Sequence, residues 1–163
     1  MSTVVGDIRA AIKTALAANT VAGGYHYDLT GSDQVVQGWT ERPPRTALAC
    51  VMIADWMVTI EPGAPLTQLT NRATFLLWAW APLTTDTSDS RATACEQVAY
   101  DVVLCLRKAT IDNGGGIRSL STQIIDVAME IEPVAPLDGE IAGWAQAAIK
   151  ATFSYRVTVT GGI

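Results

Sequence analysis

Apolar residues return at helical spacing in two stretches of the chain and at every second position in several others. Over residues 3–18, Val4, Ile8, Ile12 and Leu16 recur at intervals of four, and Ala11 and Ala15 widen the stripe. That spacing predicts an amphipathic helix, capped by Ser2 or Thr3 and ended by the polar and glycine residues of 19–24. Residues 25–29 carry aromatics on alternate positions and predict a short strand. From 30 to 45 the chain turns to Gly, Ser, Asp and the pair Pro43-Pro44, a stretch long enough to predict a functional loop.

Residues 47–58 and 72–81 are apolar at nearly every position, which predicts strands covered on both faces. In the second, Leu76, Trp78 and Trp80 share one side while Phe75, Leu77 and Ala79 share the other. A second helix is predicted over 90–109, with Ala92, Cys95, Ala99, Val102, Val103 and Leu106 on its apolar face and Asp89 as its cap. Glycines 114–116 mark a flexible connection. Residues 122–132 alternate Ile125, Val127, Met129 and Ile131 with Asp126, Ala128, Glu130 and Glu132, so one face is apolar and the other acidic. The longest alternation runs over 147–160 and places Phe153 and Tyr155 on the buried side of a long antiparallel strand. Two helices and about five strands that do not strictly alternate predict one α+β domain over residues 1–163, a mostly antiparallel sheet packed by two helices.

Composition adds a demand for assembly. Of 163 residues, 49% are hydrophobic and only 17% charged, against a usual fraction of about 25% charged. Such a chain has material for a core, and its weakly charged surface favours burial against further copies. The net charge of −5, with the basic residues scattered, excludes a phosphate-gripping surface. No apolar run approaches the roughly 20 residues of a membrane helix, and Asp7, Arg9 and Lys13 interrupt the first apolar positions, unlike a secretory signal. Cytosolic synthesis is the expectation. Cys50, Cys95 and Cys105 form no Cys-x-x-Cys pair and sit in apolar segments, as reduced small hydrophobes do.

Candidate chemistry is sparse. His26 is the only histidine, and nothing in the sequence places a nucleophile beside it. Gly114-Gly115-Gly116 lacks the Lys and Ser or Thr of a phosphate loop. Asp126, Glu130 and Glu132 at period two read as a wet strand face rather than a metal site. No catalytic residue, metal or cofactor is therefore expected. The five tryptophans are more informative: Trp39 lies in the long loop with Arg42 and Arg45, the Trp and Arg chemistry of interface anchors, with local packing as the other reading. Trp56 and Trp144, near strand boundaries, are further interface candidates.

The order of parts resembles the tail terminator family of long-tailed bacteriophages, also called tail completion or minor tail proteins. That order is a helix beginning at Asp7-Ile8-Arg9, an aromatic strand, a loop ending Pro43-Pro44-Arg45, strands over 46–55 and 72–82, a helix opened by a Thr/Asp/Ser loop, and two long strands. The last of these reads Ala151-Thr152-Phe153-Ser154-Tyr155-Arg156-Val157-Thr158-Val159. The resemblance spans nearly the whole chain and implies a non-enzymatic virion subunit, assembled in the host cytoplasm. It also implies a homohexameric ring on the head-proximal end of the tail tube, with the tail tube protein and the head-tail connector as partners and DNA only as passing cargo. Three other readings remain open: another phage neck or head-closure subunit, a hotdog-like enzyme or binder of acyl thioesters, and a structural subunit of some other assembly. The hotdog reading needs a polar group on the second helix, where Glu96 and Asp101 are the candidates.

Overall fold

The computed structural model describes residues 3–38, 48–62, 68–111, 124–132 and 143–158. Helix α1 spans Val4–Leu16 and starts where the Thr3 hydroxyl accepts a hydrogen bond from the Gly6 amide at 3.1 Å, the N-cap read from the sequence. It buries Ile8, Ala11, Ile12 and Leu16. Helix α2 spans Ser88–Ile111. Its cap is Thr87 rather than Asp89: the Thr87 hydroxyl accepts from the Ser90 amide at 3.2 Å, and Ser90 Oγ accepts from the Thr87 amide at 3.0 Å. The reciprocal pair satisfies two donors at once, leaving Asp89 to complement the dipole from within the first turn.

Among the described residues, five strands form one sheet in the order β1-β2-β3-β5-β4: β1 Val35–Gln37, β2 Cys50–Pro62, β3 Gln68–Pro82, β4 Ile124–Glu132 and β5 Trp144–Thr158. Of these, β1 and β2 pair in parallel and the other neighbours are antiparallel. The α+β class and the mostly antiparallel sheet agree with the expectation. Both helices pack on one face, where Val51, Ile53, Phe75, Leu77, Ala147, Ile149, Ala151 and Phe153 form the core with the buried side of α2. Alanine explains why α2 lies over β5: Ala94, Ala99 and Ala109 on the helix meet a strand whose inward side includes Ala145, Ala147 and Ala151. Small side chains on both surfaces let the backbones approach.

The opposite face carries a second, smaller cluster of Cys50, Met52, Ala54 and Trp80, with Val36, Trp78 and Trp144 packed against it. The prediction that β3 is apolar on both sides therefore holds at this end of the sheet. Toward the other end the same face turns polar, with Thr74, Arg72 and Lys150.

Two expectations fail together. Residues 25–29 are not a strand, and a strand, β1, lies inside the segment read as a loop. The backbone of 25–29 is engaged elsewhere: the His26 and Tyr27 amides donate to Asp101 Oδ2, and the Leu29 amide donates to the Asn19 carbonyl at 3.0 Å. With those donors committed, no ladder can form there. β1 is instead positioned by Gln34, whose buried side-chain amide donates to the carbonyls of Asp28 and Ala49 at 2.6 and 2.9 Å and accepts from the Gly31 amide. A Cβ at residue 31 would lie 2.6 Å from Gln34 Oε1. Gly31→Ala will displace that side chain and cost about 1–3 kcal/mol in urea melts, as buried hydrogen bonds are lost. An unchanged midpoint would show that Gln34 does not hold the turn.

Candidate interaction surface

β2 and β3 are long strands, and β1 covers only the start of β2, pairing Val35, Val36 and Gln37 with Val51, Met52 and Ile53. Just beyond that contact the β2–β3 register shifts, since Ile53 faces Leu77 while Asp55 faces Leu76. Ala54 is the extra residue of a bulge. It turns the side chains that follow, so that Trp56 and Val58 fall on the helix-bearing face opposite Phe75 and Ala73. The helices do not reach the end of this strand, where Trp56 and Ile60 are 50% and 61% exposed, and on the opposite face Met57 is 60% exposed. Three large apolar residues within five positions, on both faces of one strand, constitute the apolar surface most in need of cover.

Of the residues proposed from sequence as interface anchors, Trp39, Arg42 and Arg45 lie outside the described residues, as do glycines 114–116. Trp56 is on the exposed edge. Trp144 is not: it opens β5 and packs partly buried against the Cys50, Met52 and Trp80 cluster, with its carbonyl accepting from Arg91 at 2.8 Å. Its strand-boundary position gave no way to distinguish the two environments. Met57 and Ile60 carried no signal beyond being apolar, because the edge they occupy is set by where β1 stops.

Asp101, 1% exposed, pairs with the His26 side chain. The carboxylate accepts from the His26 amide at 2.8 Å, the Tyr27 amide at 2.9 Å and the His26 ring nitrogen Nδ1 at 2.8 Å. Tyr100 meets the imidazole edge-on at 6.1 Å. Burial, and then the nearby Asp101 charge, push the Tyr27 hydroxyl above its ordinary range. A carboxylate with three donors is a structural tether, and it joins the 25–29 segment to the middle of α2. Among the described residues no Ser, Thr or Cys hydrogen-bonds to His26, and no group of three or more His, Cys, Asp or Glu side chains could hold a metal ion.

Burial holds Cys50 and Cys105 as thiols, pushed up to about 12 and about 11. At the start of α2, Asp86 accepts from the Gly143 amide at 3.0 Å and from Arg91, and these bonds hold its carboxyl below the usual range. The arrangement clasps the helix to the beginning of β5. Glu96, the other polar candidate on α2, faces solvent. No described helix is long and apolar enough to cross a membrane. Comparison with protein-family models and with curated proteins finds no match.

Proposed function

We propose that this chain is a structural virion subunit, a tail terminator that closes into a homohexameric ring on the head-proximal end of a phage tail tube. The apolar outer part of β2 carries the reading: Trp56, Met57 and Ile60 keep half or more of their surface in water in a chain with only 17% charged residues. A ring is the economical way to cover such an edge, because a heterologous contact whose rotation closes leaves no copy with an open patch. The order of α1, β2, β3, α2, β4 and β5 follows the order of parts on which the resemblance to terminators rests, without the aromatic strand expected at 25–29 and with β1 inside the expected loop.

In this role the tail tube protein meets one surface of the ring and the head-tail connector the other, and Trp39, Arg42 and Arg45 remain candidate anchors. DNA passes without being held, since each copy carries a net charge of −5, and a channel lined by some of its acidic groups repels the phosphates. The test is an infection lacking the protein. Tails should grow overlong or fail to join heads, as scored by electron microscopy. Tails of normal length joined to heads in its absence would overturn the role.

A further inference from the structure

The register of the sheet places the two sides that a neighbouring copy would have to join in line with each other. Reading straight across the strands on the helix-bearing face, Trp56 is level with Phe75, Ala151 and Met129, and Val58 with Ala73, Phe153 and Val127. The next such row runs from Ile60 through Asn71 and Tyr155 to Ile124. On the other face Met57 is level with Thr74, Thr152 and Ala128, and Thr59 with Arg72, Ser154 and Asp126. Each row thus starts on the outer part of β2 and ends on β4, and among the described residues no strand pairs with either outer side there.

Resting on the ring reading, we infer that copies join edge to edge, residues 55–62 of β2 in one copy pairing with β4 of the next. Three features of the sheet support this occupant. First, β2 and β4 run in opposite directions, because two intervening strands separate them in an all-antiparallel series. A rotation about an axis along the strands therefore sets β4 of one copy antiparallel to β2 of its neighbour, the more stable pairing. Second, that rotation moves nothing along the axis, so each row continues into itself: Trp56 meets Met129, Val58 meets Val127 and Ile60 meets Ile124, apolar against apolar on the helix side. On the other side the large Met57 meets the small Ala128, and the Thr59 hydroxyl meets the Asp126 carboxylate. Third, two of the edge acids already have a cation within the same copy: Glu61 pairs with Arg72 at 3.1 Å and Glu130 approaches Lys150 at 3.8 Å. Lys150 is needed there, because Asp55 is level with Leu76, Lys150 and Glu130, so the pairing sets Asp55 opposite Glu130 of the next copy. Residues 55–62 contain no Lys or Arg of the kind that guards open edges.

Met57 and Ala128 are both exposed, so changing them tests the contact without disturbing the core. Met57→Glu would place a carboxylate beside Asp126 and Glu130 of the next copy, and should raise the concentration needed for half-assembly at least about tenfold by light scattering. Ala128→Lys should assemble on its own, and mixing it with Met57→Glu should restore rings, because the altered edges then face each other. The inference is overturned if Met57→Glu assembles like the natural chain, or if Ala128→Lys fails to rescue it. It is also overturned if the natural chain stays monomeric at the highest concentration, or if Met57→Cys alone cross-links to itself, which signals β2 meeting β2. Tails of normal length made with Met57→Glu would overturn this pairing and leave the terminator role standing.

Discussion

Phe153→Ala will lower the unfolding free energy by about 3–5 kcal/mol, the range for removing a large aromatic from a packed core. Phe153 is fully buried and meets Phe75 edge-to-face, with ring centroids 5.8 Å apart and planes at 74°. It sits in mid-sheet between Ala73 and Val127, under α2, so the cavity would be walled by strands on three sides and cannot readily collapse. Its neighbour Thr152 provides the comparison. The alternation in the sequence places Thr152 on the far face and suggests that Thr152→Ala is nearly silent. The structure changes that expectation, because the Thr152 hydroxyl is hydrogen-bonded to that of Thr74 at 3.0 Å in a part-buried position. About 1 kcal/mol is the expected loss for a net hydrogen bond of this kind. Urea melts of the two variants should differ by at least about 2 kcal/mol; equal losses would mean that the register of β5 is wrong.

Asp101→Ala is expected to cost about 3 kcal/mol or more, because three hydrogen bonds to one buried carboxylate are lost together, each worth about 1.5–3 kcal/mol. One carboxylate holds three donors, two of them backbone amides, and none has a described alternative acceptor. His26→Ala removes only the ring contact and leaves both backbone bonds, so its cost should be about 1.5 kcal/mol. Hydrogen exchange separates the contributions. The Tyr27 amide should lose protection in Asp101→Ala and keep most of it in His26→Ala. If the two variants melt alike and both lose that protection, the imidazole rather than the carboxylate organises the segment.

What the sequence made legible follows the length of each pattern. Helices α1 and α2 and strands β4 and β5 each repeat their period over nine residues or more, and β2 and β3 are long apolar runs, so patterns read from single residues converge on the right element within a few positions. β1 has three residues and exists because Gln34 and β2 draw it into line, which no local window registers. Tyr25 and Tyr27 alternate as a strand would, and both pack against the core, yet the His26 and Tyr27 amides are held by Asp101, more than 70 residues away. The exposed edge was legible only at Trp56. A single residue, Ala54, decides which face each later side chain takes, and a continuous apolar run gives no sign of a bulge.

The place of β5 in the sheet bears on how the protein is made. β5 follows β4 in the chain, yet it lies between β3 and β4 and contributes Ile149, Ala151 and Phe153 to the middle of the core. While a ribosome is still translating the residues before Trp144, β4 has no neighbour of its own, β3 has one open side and α2 has no alanine surface to rest on. Consolidation must wait for the last described strand to emerge, which then joins three elements in one step. Contacts of such large sequence separation fold slowly. In the interval, the unpaired sides of β3 and β4 in nascent chains from adjacent ribosomes would be open to one another, and this is the stage at which aggregation would compete with folding.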